Sequence, residues 1–441
     1  DDAAVIGGIG HPFALAAGDP LFGLPPLPPK PLPDSPYQRA LDYYTRDLAE
    51  LFFGRSREIR DLYQRVTAAG RSRVILYYGQ SGVGKSSLLD AGLAPRLEAT
   101  HAVAYARRDR ALGLLGTLRK QLAITDAEQS LPHPLAGAWL AAEQQAGKPL
   151  VLILDQVEEV FTRRNADHPR ELEEFAAALR SIDAPAATSS EGGAARPAGV
   201  LLLGFRKERL AELESALRNE SIDFAKVFLA PLDESGIQDA FWGPVHNQRL
   251  AAKYGLTIED QLPEIVAHDL TADPDSPVAP TLNILLRKLW AAATAQNASA
   301  PHFSVTLYEQ LRRDGILLDD FLRQQTATLA EEHPDAVASG FVTDLWAFHT
   351  TDLGTADQRT TAELQAAYPH REDLDAVVLR SKELYVLADP PGDSAEAQGG
   401  TRLAHDTLAP LVRRDYDHSA HPAQQRMSPG DARVREHHAS G

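Results

Sequence analysis

One segment of the chain combines glycines, a lysine and hydroxyl side chains in the pattern of a phosphate-binding loop. Its residues are Gly79, Gln80, Ser81, Gly82, Val83, Gly84, Lys85 and Ser86, with Ser87 directly behind them. The glycines let the backbone curl so that successive N–H groups point at a phosphate, beside the positive end of the following helix. Lys85 would neutralise the β and γ phosphates, and the Ser86 hydroxyl would ligate Mg²⁺. The segment therefore predicts binding of a nucleoside triphosphate.

Three acidic residues further along the chain could complete such a site. Asp155 ends an apolar run at 150–154, which is typical of a parallel strand that is buried on both faces. A carboxylate at the end of such a strand can hold the Mg²⁺ shell, so we assign Asp155 as the Walker B acid. Glu158 and Glu159 follow closely enough for one of them to orient or deprotonate an attacking water. The sequence does not choose between them, and an acidic helix start is the alternative explanation.

A positively charged residue follows another apolar run that is typical of a β-strand. The apolar run at 199–204 leads into Phe205, Arg206 and Lys207, which places Arg206 at the carboxyl edge of a parallel sheet, where such sheets contact ligands. Arg206 is therefore our candidate sensor of the γ phosphate. A solvated basic turn is the alternative for this group.

The elements that must position these residues indicate an α/β fold. Between 37 and about 230, apolar β-rich runs alternate with helical patterns, as in a parallel sheet flanked by helices. The candidate strands are 74–78, 101–106, 150–154, 199–204 and 227–229. Beyond Pro231 the pattern is helical, and two candidate strands at 384–387 and 402–404 then predict a winged helix.

These patterns predict five segments. They are a Pro-rich linker or remnant of an upstream domain (1–36), a P-loop nucleotide-binding domain (37–230), a helical domain (231–302), a winged-helix domain (303–414) and a disordered tail (415–441). Proline fixes φ and lacks a backbone donor, so the proline-rich run is expected to be an extended spacer. The chain opens with Asp1 and its one methionine is Met427, so we expect a piece of a longer protein.

Composition limits the partners. The formal net charge is −17, which opposes general affinity for phosphate backbones, and the chain contains no cysteine. No apolar run approaches the roughly 18 residues of a membrane-spanning helix. We therefore expect a cytoplasmic protein with no membrane partner, and nucleic acid is not a favoured ligand.

The motifs together resemble the STAND class of signal-transduction NTPases, in particular its bacterial branch, over roughly 37–414. Asp155 is followed by Gln156, a branched aliphatic residue and two glutamates, as in that branch. Phe53, Gly54 and Arg55 resemble the element that wraps adenine, and Pro280 resembles the proline that lies against the base. His405 resembles the histidine that reaches the β phosphate of ADP. Each motif taken alone has another explanation. The first could be a turn at the start of a helix, Pro280 could simply begin a helix, and His405 could be a structural histidine.

The resemblance implies an ATP/ADP switch with slow hydrolysis. ADP would hold a closed monomer through His405, and ATP would release that contact and expose surfaces for a homo-oligomer that activates an effector. The cofactors implied are ATP or ADP with Mg²⁺. Effector and sensor domains would lie on the same chain or on a partner chain. The resemblance also implies a role in bacterial defence or stress signalling.

Three alternatives remain open. A DNA-directed AAA+ ATPase of the origin-recognition or transposition-helper type has similar parts, but at 303–414 acidic residues outnumber Lys and Arg by about two to one. A small-molecule kinase could use Arg107, Arg108 and Arg110 in a basic lid, yet would not need the long helical additions. A scaffold that binds nucleotide without hydrolysis would need Lys85 and Asp155 but neither glutamate.

Overall fold

The computed structural model describes residues 3–4, 15–16, 21–37, 43–109, 111–124, 134–162, 169–183, 186–187, 194–272, 277–313, 318–351, 356–389, 400–404 and 408–421. The chain forms two compact units. The first comprises Asp1–Pro36, Tyr43–Ala279 and Asn297–His302, and the second comprises Tyr37–Asp42, Pro280–Gln296 and Phe303–Gly441.

The first unit is built on a five-stranded parallel sheet. Its strands are β1 (Val74–Gly79), β2 (Ala102–Arg107), β3 (Leu150–Asp155), β4 (Val200–Arg206) and β5 (Phe224–Leu229). Their order across the sheet is β2-β3-β4-β1-β5, and every neighbouring pair is parallel. The carboxyl ends of all five strands therefore lie at one edge, where Gly79 pairs with Arg206 and Arg107 pairs with Asp155.

All five strands were predicted, and the predicted fold class is confirmed for the parallel sheet with its flanking helices. The largest boundary error is in β5, which begins at Phe224 instead of Val227. This edge strand alternates exposed Lys226 and Phe228 with buried Val227 and Leu229. Alternation makes its apolar signal weaker than that of β3, where every residue is buried.

Side chains of alternate residues in the strands enter two separate cores, as the period of a β-strand requires. The core on one face includes Leu76, Trp139, Leu152, Phe175 and Leu203. The core on the other face includes Leu62, Ile75, Leu88, Ile153 and Leu202. Both faces of the sheet are thus covered by helices, which explains the long apolar runs in the sequence.

Helices connect and follow these strands. They are α1 (Ser56–Thr67), α2 (Lys85–Ser87, Leu88–Leu93 and Ala94–Leu97), α3 (Gly113–Gln121), α4 (Pro134–Ala146), α5 (Glu159–Thr162), α6 (Glu171–Leu179), α7 (Leu210–Asn219), α8 (Glu234–His246), α9 (Gln248–Tyr254) and α10 (Leu262–Thr271). Short 3₁₀ helices lie at Arg46–Leu51, Arg180–Asp183 and Lys207–Arg209. Further two-residue strands lie at Ala3–Ala4, Leu15–Ala16, Ala186–Ala187, Ala194–Ala195, Thr257–Ile258 and His302–Phe303.

The middle part of α2 is a π-helix. The N–H of Ala94 donates to the Leu89 carbonyl five residues earlier, and Pro95 comes next. Proline has no N–H with which to continue the regular ladder, which accounts for the wider turn here. The wider turn lies directly behind the predicted P-loop.

The Pro-rich segment packs against the first unit along its described part, 21–36. Leu24 is buried in the core beside α1 and α2, and Arg96 donates a hydrogen bond to the Pro25 carbonyl. Lys253 and Tyr254 of α9 donate to the carbonyls of Leu32 and Pro33. These contacts attach residues 21–36 to the rest of the first unit, and the assignment of 1–36 as a linker or remnant of an upstream domain stays a prediction. Proline cannot donate a backbone hydrogen bond, but carbonyls of this segment accept hydrogen bonds from α2 and α9.

The second unit combines helices with a small antiparallel sheet. Its helices are α11 (Val278–Gln296), α12 (Val305–Arg313), α13 (Leu318–Glu332), α14 (Pro334–Ala338), α15 (Phe341–Phe348), α16 (Thr361–Ala367), α17 (Leu374–Glu383) and α18 (Leu408–Asp417). The strands β6 (Gln358–Thr360), β7 (Leu387–Ala388) and β8 (Gly400–Leu403) have the order β6-β8-β7. Phe341, Leu345, Val377, Leu403 and Leu408 belong to its shared core.

Several boundaries in this unit differ from the predictions. The strand predicted at 402–404 is β8, at Gly400–Leu403. The strand predicted at 384–387 begins at Leu387, because α17 ends at Glu383 and Tyr385 adopts a left-handed turn with φ of 58°. The tail predicted to be disordered from 415 is helical through Asp417, since α18 buries Leu408 and Val412. Residues 422–441 lie outside the described part. The winged-helix assignment and the five-segment division stay predictions.

Candidate functional site

The predicted P-loop joins β1 to α2 at the carboxyl edge of the sheet. Gly82 and Gly84 have φ of 74° and 96°, a region that side chains with a Cβ rarely adopt. Gly79 is needed for a different reason, because a Cβ there would lie 2.7 Å from the Leu229 carbonyl oxygen. The loop sequence is thus dictated by both its own curl and the close approach of β5.

Three polar side chains in and directly after the loop differ in their hydrogen bonds. Lys85 Nζ donates to the carbonyls of Gly79 at 3.1 Å and Gln80 at 2.8 Å. The buried Ser81 Oγ has no hydrogen-bond partner among the described residues. Ser87 is buried, and its Oγ accepts a hydrogen bond from the Tyr44 N–H at 3.1 Å. The Lys85 ammonium and the buried Ser81 hydroxyl are both groups that could bind phosphate oxygens.

Asp155 lies beside the loop, as the sequence predicted. It is the last residue of β3 and is 1% exposed. Its Oδ2 accepts hydrogen bonds from Ser86 Oγ at 2.5 Å and from the Tyr105 hydroxyl at 2.7 Å. Ser86 and Asp155 thus place two oxygen ligands together, and oxygen ligands are what Mg²⁺ prefers.

Tyr105 was not predicted as a site residue. It is half-buried on β2, the strand next to β3, and pairs with Ile153. Burial raises the pKa of Tyr105 above its ordinary value, and the Asp155 carboxylate adds to the rise. The hydroxyl therefore stays protonated and acts as a hydrogen-bond donor to Asp155. The sequence placed a strand at this position, but it did not show that this strand is the neighbour of β3.

A sharp turn follows Asp155. Gln156 has φ of 60°, which is uncommon for a residue other than glycine, and the Val157 N–H donates to the Gly204 carbonyl at 3.0 Å. This turn brings Glu158 back over the edge of the sheet. Glu159 instead begins α5 and is half-buried.

Glu158 forms an ion pair with Arg206. The distance from Glu158 Oε1 to Arg206 Nε is 3.2 Å, and the two side chains are 10% and 15% exposed. Burial raises the pKa of Glu158 to about 7, although the Arg206 and Lys85 cations act in the opposite direction. Of the two candidate glutamates, Glu158 is therefore the one that meets the predicted sensor arginine.

The Phe53-Gly54-Arg55 element contacts the P-loop at Val83. Buried Arg55 donates through Nη2 to the Val83 carbonyl at 2.9 Å and forms an ion pair with Glu58 at 2.5 Å. A Cβ at Gly243 of α8 would lie 2.2 Å from the Phe53 ring. This element therefore ties the P-loop to α8, while its predicted contact with adenine stays a prediction.

Two predicted ligands belong to the second unit. Pro280 is buried in the first turn of α11. His405 follows β8 but lies outside the described residues, as does Arg110 among the basic residues considered for a kinase lid. Their predicted contacts with nucleotide stay predictions.

Residues 36–410, most of the chain, match the family model of novel STAND NTPase 1. The chain belongs to this family. The predicted resemblance to STAND NTPases is thereby confirmed, together with nucleotide binding and the coarser assignment as a P-loop NTPase. No curated protein matches the chain in sequence.

Several solved structures are similar to this STAND NTPase at low sequence identity. The Aeropyrum pernix ORC2 protein in its ADP form is 16% identical, with a TM-score of 0.39 over 86% of this chain and 94% of that one. Cdc6p from Pyrobaculum aerophilum is 12% identical, with a TM-score of 0.37 over 82% and 93%. The Thermotoga maritima RuvB Holliday junction branch migration motor is 17% identical, with a TM-score of 0.34 over 85% and 98%.

Among the described helices, none combines the length and apolar character needed to cross a bilayer.

Proposed function

We propose that this STAND NTPase is an ATP/ADP-controlled signalling switch that hydrolyses ATP slowly to reset itself. The observation that carries the proposal is the ion pair between Glu158 and Arg206 beside the P-loop. It joins a candidate proton acceptor to a candidate γ-phosphate sensor, so a bound γ phosphate could compete for the arginine and release the glutamate. Such a site responds to the difference between ATP and ADP.

The oxygen ligands at the site fit Mg²⁺ bound together with nucleotide. Mg²⁺ in nucleotide sites is held by one or two protein ligands, substrate phosphates and water. Ser86 Oγ and the Asp155 carboxylate would supply the protein ligands, and the metal would neutralise charge that develops on the phosphates. Lys85 would bind the β and γ phosphates.

The slow rate in our proposal comes from the ion pair of Glu158. Burial raises the pKa of Glu158 to about 7, which suits a general base at neutral pH. The ionised carboxylate is paired with Arg206, however, and is a poor proton acceptor until that pair separates. Glu158 is therefore our proposed base, in preference to Glu159.

The switch itself needs two states that contact nucleotide differently, since a ligand that binds both equally shifts neither. In our proposal ADP favours a closed monomer through His405 and Pro280, and ATP favours an open state that forms a homo-oligomer and activates an effector. The effector, the sensor domain and the role in bacterial defence come from the STAND resemblance.

Nucleotide content and turnover test this proposal together. We expect ADP to remain bound through purification and ATP turnover to be slow, well below the typical enzyme value of about 10 per second. Lys85→Ala should abolish both retention and turnover. Rapid multiple turnover by the purified chain would contradict a switch that uses hydrolysis as its reset.

A further inference from the structure

The Asp155 carboxylate receives two hydrogen bonds on the same oxygen. Ser86 Oγ donates to Oδ2 at 2.5 Å, and the Tyr105 hydroxyl donates to Oδ2 at 2.7 Å. The other oxygen, Oδ1, lies beside Gly204, where an added Cβ would be only 2.7 Å away. The carboxylate is therefore confined on both sides, and Tyr105 supplies one of the two side-chain donors that it has among the described residues.

These two donors are not equivalent. Ser86 belongs to the P-loop, and its hydroxyl would turn its lone pairs to a metal ion when Mg²⁺ and nucleotide bind. Tyr105 is on β2, which is paired with β3 along its whole length from Ala102 opposite Leu150 to Arg107 opposite Asp155. Its hydroxyl stays in place when the loop binds its ligand, because it is carried by the sheet.

A second contact holds the end of β2. The Arg107 guanidinium lies over the Tyr43 ring, 4.4 Å from the ring centroid, two residues beyond Tyr105. Cation–π contacts of this kind restrain both partners. Tyr105 is thus a donor on a restrained strand, which is what the orientation of a metal-binding carboxylate requires.

We propose that Tyr105 is a positioning residue that orients the Asp155 carboxylate for Mg²⁺. The inference rests on the proposed role of Asp155 in holding the Mg²⁺ shell. Hydrogen bonds to ligating carboxylates fix their orientation, and removal of such a partner costs roughly 10- to 100-fold in metal affinity. Tyr105 therefore acts on Mg²⁺-dependent binding and leaves the rest of the nucleotide contacts unchanged.

The test measures the affinity of Tyr105→Phe for a fluorescent, non-hydrolysable ATP analogue, once with Mg²⁺ and once with EDTA. The ratio of the two dissociation constants is the gain in affinity that Mg²⁺ provides. We expect this gain to fall about tenfold, while the affinity in EDTA stays within about twofold of the wild type. A hydroxyl with a merely structural role would lower both affinities equally or neither.

Three companion variants make the result decisive. Tyr254→Phe removes a tyrosine hydroxyl that donates to the Pro33 carbonyl at 2.8 Å, and it should leave the Mg²⁺ gain unchanged. Asp155→Asn should abolish most of the gain, and adding Tyr105→Phe to it should cause no further loss. Thermal unfolding of each variant shows that it is folded under the conditions of the measurement.

The outcomes separate the two levels of the proposal. If Asp155→Asn leaves the Mg²⁺ gain intact, the proposed role of Asp155 is wrong and the inference falls with it. If Asp155→Asn lowers the gain but Tyr105→Phe does not, the inference alone is overturned. An equal loss in Mg²⁺ and in EDTA would also overturn it.

Discussion

At the scale of single residues, the site is defined by how buried charges are paired. Glu158 and Arg206 form an ion pair at the edge of the sheet, and Asp155 accepts hydrogen bonds from two hydroxyl groups. A buried carboxylate without such partners would be costly. The same contacts decide which group is ready to react, because a paired glutamate must be released before it can accept a proton.

The two glutamates after Asp155 should differ strongly when each is changed. We expect Glu158→Gln to lower single-turnover ATP hydrolysis by about 100-fold or more, the usual effect of removing a general base. Glu159→Gln, which alters the half-buried residue at the start of α5, is the matched control and should stay within about threefold. Equal effects of the two substitutions, or a larger effect at Glu159, would contradict our assignment.

The pH dependence of hydrolysis should report Glu158. Burial raises its pKa to about 7, so the reactive, ionised form increases as pH rises through that value. We therefore expect kcat/KM to rise with pH up to about 7 and then level off, because this ratio reports the free enzyme. Glu158→Gln should remove the dependence, and a profile that is flat between pH 5.5 and 8 would argue against Glu158.

The same group affects stability with a defined sign. Its pKa is raised on folding, so the folded state holds the proton more tightly than the unfolded state. The contribution to stability is present below the ordinary pKa of about 4.5 and is lost as pH rises through about 7. Thermal unfolding of wild type and Glu158→Gln should therefore diverge with rising pH, to the disadvantage of the wild type.

At the scale of elements, the Pro-rich segment is anchored by one buried carboxylate. Glu50 accepts a hydrogen bond from the Lys30 N–H at 2.9 Å and forms an ion pair with Arg249 of α9. Arg249 also donates to the Lys30 carbonyl at 2.6 Å. One acidic side chain thus joins the Pro-rich segment to a helix more than two hundred residues later in the chain.

Neutralising this carboxylate should loosen the segment. We expect Glu50→Gln to lower the free energy of unfolding by about 1–2 kcal/mol, since it weakens charged hydrogen bonds to a partly exposed arginine. Asp47→Asn breaks an ion pair between Lys30 and a carboxylate that is 77% exposed, and it should cost less than about 0.5 kcal/mol. Urea unfolding of both variants checks this, and equal destabilisation would contradict the anchoring role of Glu50.

The sequence predicted the elements well where burial leaves a continuous apolar run. β3, buried at every position, and the glycine pattern of the P-loop are such cases. β6 was missed because Gln358, Arg359 and Thr360 are polar and half-buried, so they lack the apolar alternation of a strand. Tyr105 was missed for another reason: its role depends on β2 lying next to β3, and strand order arises from long-range pairing.

At the scale of the whole molecule, net charge and family membership both favour a nucleotide-binding NTPase over a protein that binds nucleic acid. The net charge of −17 opposes binding of a phosphate backbone, and most of the chain matches a family of NTPases. In the switch that we propose, the site must distinguish ATP from ADP more than it must react fast. The paired state of Glu158 fits that requirement.

Molecular mass in solution, measured by light scattering with Mg²⁺ and either ADP or a non-hydrolysable ATP analogue, tests the central claim most directly. We predict a monomer with ADP and a larger assembly with the ATP analogue, because the two nucleotides would favour different states. Lys85→Ala, which should not hold either nucleotide, should remain monomeric in both. An unchanged mass, with both nucleotides shown to be bound, would contradict the proposal that this protein is a nucleotide-controlled switch.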